Sequence, residues 1–296
     1  EYVCTSIFLS FLRLVNWRGE ITLQVNAPNF NTFSNSKIKN FFKVIQRYFL
    51  INSLSISRAN VSCLGVWHKE QLSKQLNLEL NRIWVIEDGG GEDIVYEKFD
   101  INKHLIFNGI NLPATNKKIF LLFGNFREDK GYLFITETWK KYFDKESDPI
   151  LWIVGHDEEN LFEYFKKLNA KNILISKGYV KLDLIKYIYK KADFAILPYL
   201  KNYKGGSGPL MKGAFTHKRC ALVAQVAEMG RLASEENLAL SFIAEDDLSL
   251  RNSVQKMQDL EDFAIQVIIN KAHKYTKKRD WKYVAKRFIE SLERKF

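Results

Sequence analysis

The chain has 296 residues, enough for two domains of ordinary size. Hydrophobic residues at 46% and charged residues at 27% exclude a chain disordered throughout, since that much apolar material offsets the entropy of ordering. Only 15 Gly, 5 Pro and 3 Cys exclude a collagen-like repeat and a disulfide scaffold, while a net charge of +11 favours an anionic partner: nucleic acid, nucleotide or an acidic membrane surface.

The first half begins with a mostly apolar stretch at 4–15, read as a helix. It is shorter than the roughly 20 residues a membrane span needs, and no basic segment precedes it as in a signal peptide. The sequence opens at Glu1 and its earliest Met is Met211, so the expectation is that native sequence lies upstream. A strand is predicted at 20–25, then a polar loop through Asn26-Ala27-Pro28. A long helix at 38–54, a strand within 55–62, a helix at 68–76 and a strand at 83–86 follow. The last runs into Glu87-Asp88-Gly89-Gly90-Gly91. Pro, Asn and Thr at 111–116 read as a connection between periodic regions. The expected domains are therefore 1–112 and 113–279, with a terminal helix at 280–296.

The second half alternates regularly. Short runs that are apolar throughout, at 119–124, 150–155, 172–175, 194–198, 220–224 and 239–243, read as buried strands. Helical spacing at 131–143, 161–168, 182–191 and 209–217 lies between them. Such alternation predicts an α/β architecture with a parallel sheet covered on both faces, and ligands at the carboxyl ends of its strands. Residues 271–296 hold ten basic side chains against three acidic ones, so most of the excess charge sits at the end. Cys4, Cys63 and Cys220 match no zinc spacing, which points to free thiols in a reducing compartment.

Two features carry anion chemistry without any family name. Arg127 and Lys130 lie just past a strand end, where they can give charge-assisted hydrogen bonds to a diphosphate. Gly205-Gly206-Ser207-Gly208 is Gly-rich and precedes a helix, a setting in which backbone N–H groups receive anions. His156 reads as a solvated loop residue and Glu228 as a helix-start carboxylate.

Several segments, in order, resemble the retaining GT-B glycosyltransferases of family 4, also called group 1. They are Gly124-Asn125-Phe126-Arg127-Glu128-Asp129-Lys130-Gly131, Leu151-Trp152-Ile153-Val154-Gly155, Gly178-Tyr179-Val180, Leu197-Pro198-Tyr199 after Ala192-Asp193, Ser207-Gly208-Pro209-Leu210, and Asp280-Trp281. The resemblance covers 117–296 well and 20–95 loosely. It implies two Rossmann-like domains with parallel sheets facing a cleft, the N-terminal one incomplete. It places Arg127, Lys130, Ser207 and Gly208 on the donor diphosphate. It places Gly178, Tyr179 and Val180 beside the base, and makes Gly124, Pro198, Tyr199, Lys204, Gly205, Gly206 and Lys212 nucleotide or sugar contacts.

The chain departs from that family at defined points. Aligned on Pro209-Leu210, the positions of the family's paired Glu residues hold Lys204 and Lys212, and a charged Lys cannot accept the hydrogen bonds a ribose hydroxyl donates. Asn26 stands where a His commonly faces the sugar; it is the acceptor-side candidate but no general base. The first strand and its Gly-rich loop are missing from the given sequence. No catalytic residue is singled out. No Asp-x-Asp motif is present, so neither metal nor cofactor is expected, the nucleotide-sugar being a substrate.

The leading expectation is a metal-independent, retaining transferase that moves a sugar from a nucleotide-sugar donor to a glycan, lipid-linked or envelope acceptor. It would work in the cytoplasm, peripheral on the inner face of a membrane through 271–296, with the last helix returning to the N-terminal domain. The alternative is a non-catalytic module of the same fold that partners another glycosyltransferase. Nucleic acid is disfavoured, because no aromatic stacking motif accompanies the basic cluster.

Overall fold

The structure is a computed structural model describing residues 22–25, 41, 44–45, 47–48, 50–52, 54, 60–86, 110–280, 282–286 and 289. Two compact units divide the chain: Glu1–Asp88 with Lys204–Gly206, and Gly89–Tyr203 with Ser207–Phe296. Both are α/β and both sheets are parallel.

In the smaller unit, β1 (Thr22–Val25), β2 (Asn60–Cys63) and β3 (Ile83–Val85) pair in the order β1-β2-β3. The central β2 is buried at every position, as a parallel strand covered on both faces must be. Helix α1 (Val66–Leu76) connects β2 to β3, and Leu72 and Leu76, one turn apart, pack with Val61, Cys63 and Ile83. Asn77 ends α1 in the left-handed conformation, with its N–H given to Ser73 O, a conformation Asn tolerates better than most residues. The described residues between 41 and 54 are helical, and Leu50 and Leu54 join the core. Arg47 Nε donates to Gln75 O at 2.8 Å and Arg82 Nη2 to Leu54 O at 2.6 Å. These cations satisfy backbone carbonyls of helical residues. The helix expected at 4–15, the turn at 87–91, and most of the basic terminal helix lie outside the described residues.

The larger unit holds β4 (Ile119–Phe123), β5 (Ile150–Gly155), β6 (Ile173–Lys177), β7 (Phe194–Leu197), β8 (Cys220–Ala224) and β9 (Leu240–Phe242). Their order is β6-β5-β4-β7-β8-β9. Helices α2 (Tyr132–Tyr142), α3 (Leu161–Leu168), α4 (Leu182–Lys191), α5 (Ala227–Ser234), α6 (Asp247–Gln258) and α7 (Asp262–Lys277) alternate with or follow the strands. This is a doubly wound sheet whose order reverses at β4, so the loops leaving β4 and β7 flank the crevice where such sheets bind ligands. All positions of β7 and β8 are buried, which explains why their sequences are apolar throughout. Trp139 Nε1 donates to Pro149 O at 3.1 Å and Trp152 Nε1 to Ser176 Oγ at 3.2 Å, so these buried indoles keep their polar edges satisfied. Ile110 is fully buried in this core, and the Asn111 N–H donates to Ser176 Oγ at 3.1 Å. The segment ascribed to the end of the first half thus packs with the second.

The helix expected at 209–217 is a π-helix, Pro209–Phe215. Tyr189 OH donates to Pro209 O at 2.9 Å and lies 2.1 Å from where a Cβ on Gly213 would stand. A hydroxyl wedged between the 209 carbonyl and residue 213 occupies the place of an α-helical hydrogen bond, and the turn widens around it. Periodicity could not show this, because the wedge comes from α4.

Among the described residues, no helix is long and apolar enough to cross a membrane. Cys63 and Cys220 are both buried.

Candidate functional site

The loop leaving β4 is fastened on both sides. Gly124, at φ 133°, donates its N–H to Val154 O at 3.0 Å and accepts from Tyr132 OH at 2.8 Å. Phe126 is fully buried against Tyr132 and Phe165, and its N–H donates to His156 O at 2.7 Å. A single 3-10 turn, Glu128–Lys130, then closes at Gly131. Gly131 has φ 73°, and a Cβ there would lie 1.9 Å from Pro198 O. Only glycine allows that close approach. Leu200 N–H completes the join by donating to Asp129 O at 3.0 Å. The loops after β4 and β7 are therefore held against each other at the point of reversal.

The two cations of this loop differ in their surroundings. Lys130 Nζ is 3.3 Å from the point a Cβ on Gly124 would occupy, and Pro209 Cγ is 3.4 Å from the same point. The ammonium and the Pro209 ring that opens the π-helix thus both lie beside Gly124. Burial, and then the neighbouring Arg127 charge, lower the Lys130 pKa below its usual 10.5. Among the described residues no carboxylate forms an ion pair with it. Arg127 instead grips Asp129, Nε to Oδ1 at 3.0 Å and Nη2 to Oδ2 at 2.5 Å, and that hydrogen bonding raises the guanidinium pKa. A partly desolvated cation without a counter-ion is what an incoming anion neutralises.

Ser207 and Gly208 border the same place. Ser207 is buried; its Oγ accepts the Leu210 N–H at 3.3 Å and shares a hydrogen bond of 3.2 Å with Tyr199 OH. Its carbonyl accepts from Met211 N at 3.0 Å. The hydroxyl therefore organises the turn before the π-helix. A Cβ added to Gly208 would meet nothing within 4 Å, so space is open beside it. Tyr199 is buried edge-on to Tyr203, and burial pushes its phenol pKa well up, keeping it neutral.

The remaining candidates separate. Gly178 gives its N–H to Gly155 O at 2.9 Å, Val180 is buried in the core, and Tyr179 is 74% exposed at the exit of β6. Lys212 is exposed on the π-helix. Lys204, Gly205 and Gly206 belong to the smaller unit, where Lys204 Nζ lies 5.7 Å from the Trp67 ring centroid and His68 Nε2 donates to Lys204 O at 2.9 Å. The Gly-rich segment thus contributes to both units. Asn26 lies outside the described residues. Glu228 is paired with Arg231 at 2.7 Å in the first turn of α5, in keeping with a helix-start carboxylate, and His156 is exposed. Sequence reasoning passed over Asp129, although an Arg-x-Asp spacing signals such a clamp. It also passed over Trp67 and His68, which meet Lys204 from far along the sequence.

Residues 106–209, which include β4 to β7 and both loops, match the family model described as Glycosyl transferases group 1. A comparison with curated protein sequences finds no significant match. Among solved structures, Anabaena Alr3699/HepE in complex with UDP superposes with a TM-score of 0.73 at 12% identity, over 99% of this chain and 77% of that one. Sucrose-phosphate synthase from Thermosynechococcus elongatus gives 0.72 at 13% identity, over 95% and 69%. A mutant of S. aureus TarM in complex with Fondaparinux, alpha-GlcNAc-glycerol and UDP gives 0.65 at 12% identity, over 95% and 53%. Identities this low speak for the fold. The chain has the parallel α/β fold of the GT-B glycosyltransferases, and its residues 106–209 are similar to the glycosyl transferases group 1 family.

Proposed function

We propose that this protein is a retaining glycosyltransferase of family 4 that moves a sugar from a nucleoside-diphosphate donor to a glycan or lipid-linked acceptor without a metal ion. The bond between the sugar's anomeric carbon and the diphosphate breaks, the nucleoside diphosphate leaves with the electron pair, and the acceptor hydroxyl oxygen forms the new bond to the anomeric carbon while its proton passes to the leaving diphosphate. Charge develops on the leaving diphosphate, and a cation already placed there lowers the barrier. Lys130 is that cation, with Arg127 beside it and the open side of Gly208 making room. The UDP in the Anabaena structure and the glycan and UDP in the TarM complex support a donor and an acceptor of these classes. With a lipid-linked acceptor the protein works at a membrane surface, and the proposal places it on the cytoplasmic side.

The observation that carries this reading is the half-buried Lys130 ammonium, without an ion pair among the described residues, where the strand order reverses. Titration of UDP, GDP and ADP by calorimetry tests it. Binding of one of them is expected, weakened in Lys130→Ala by about 1.5–3 kcal/mol, the worth of a hydrogen bond to a charged group. Absence of binding by all three, or an unchanged affinity in the variant, contradicts it.

Lys204 and Lys212 favour a second reading, a non-catalytic module of the same fold that binds a nucleotide and partners another transferase. Both stand where family 4 enzymes carry Glu. Nucleotide binding without hydrolysis or transfer of any nucleotide-sugar would select this module; turnover would exclude it.

A further inference from the structure

Helix α7 turns one stripe inward and another outward. Ile269, Ala272 and Thr276 are its buried residues. With 3.6 residues per turn, Phe263, Val267, Lys271, Lys274 and Lys278 fall on the opposite side, at spacings of four, four, three and four. Phe263 is 77% exposed and Val267 40%, and all three lysines are exposed. No Asp or Glu occurs from 263 to 278. Among the described residues, none of the three lysines forms an ion pair. The outer face of α7 therefore joins large unburied apolar side chains to unneutralised positive charge.

We infer that this face docks on an anionic lipid bilayer. The lysines meet headgroup phosphates, while Phe263 and Val267 enter the boundary between headgroups and acyl chains. The combination decides for a bilayer over a nucleic-acid backbone, which would engage the lysines and leave Phe263 in water. The inference does not depend on the donor reading, because α7 residues take no part in the diphosphate site. It places the basic surface on α7, upstream of most of the terminal segment that composition alone marks out.

Co-sedimentation of the full chain with vesicles tests it, using phosphatidylcholine alone and phosphatidylcholine with phosphatidylglycerol, at low and high salt. Binding to the anionic vesicles is expected, reduced by salt. Each lysine near such a surface is worth roughly five-fold in affinity. The variant carrying Lys271→Gln, Lys274→Gln and Lys278→Gln should therefore lose about a hundred-fold. Phe263→Ser should lose several-fold and keep the same salt dependence. Both variants, altered only at exposed positions, keep the wild-type melting temperature and any UDP affinity. Equal binding to neutral and anionic vesicles overturns the proposal, as does an unchanged affinity in both variants. So does pelleting without vesicles, which would show self-association, or stronger binding to single-stranded RNA with Phe263→Ser having no effect.

Discussion

Lys130 and Arg127 sit three residues apart, yet among the described residues only Arg127 forms an ion pair. Asp129 holds the guanidinium by two hydrogen bonds, so under the proposed function an arriving diphosphate meets a nearly neutral pair there and, at Lys130, an ammonium with no ion pair among the described residues. Lys130→Ala is accordingly expected to cost more nucleotide affinity than Arg127→Ala, by about ten-fold or more; parallel UDP titrations of the two variants check the ranking. Protonation gives a second test. Burial lowers the Lys130 pKa below 10.5, so the charge that attracts the anion is lost earlier than in a solvated lysine as pH rises. Affinity for UDP should decline through that lowered value and do so less in Lys130→Ala. For stability the sign is opposite. Between the lowered folded value and 10.5 the unfolded chain binds more protons, so the destabilising effect of the buried charge is relieved as pH rises through that window.

At the level of elements, the loops depend on a few backbone devices. Asp157 starts α3 by accepting the Leu161 N–H at 2.8 Å and the Phe162 N–H at 3.1 Å, with Lys177 Nζ at 3.4 Å. Burial alone would raise its pKa, but these donors outweigh it and the net shift is downward from 3.8. The stability it contributes is complete above the unfolded value and is lost as pH falls through the folded one. Asp157→Ala should destabilise by about 1–2 kcal/mol, as removal of a helix cap does, measured by urea unfolding at neutral pH. Gly131→Ala should cost about 1–3 kcal/mol, because its φ of 73° and the Pro198 carbonyl both oppose a side chain. It should also weaken UDP binding, since Lys130 is the preceding residue.

These devices also show what could be read in advance. The apolar runs of β5 and β8 and the 3.6-residue spacing of α3 and α4 give the element bounds directly, because burial on both strand faces and on one helix stripe leaves an unmistakable local pattern. Lys130 stood out by its place after a strand. Its lack of a counter-ion did not, because that depends on Asp129 turning to Arg127. The π-helix and the tie of Lys204 to Trp67 and His68 rest on contacts between segments far apart in sequence, which no local pattern reports.

For the whole molecule, the order β6-β5-β4-β7-β8-β9 fixes where the charge matters. The carboxyl ends of β4 and β7 gather one ammonium, one clamped guanidinium and the open turn at Gly208. The outer face of α7 carries a separate set of lysines, and His273 Nδ1 on the same helix donates to Phe215 O at 3.3 Å, which seats α7 on the π-helix. On the two proposals made above, the positive charge of the chain acts at two places, and the first is the one that bears on sugar transfer. Calorimetric titration of UDP into the wild-type chain and into Lys130→Ala, both folded by the same melting temperature, measures it directly. Saturable binding by the wild type and a loss of about ten- to a hundred-fold in the variant is the predicted result; equal affinity in the two would contradict the assignment of the diphosphate to this crevice.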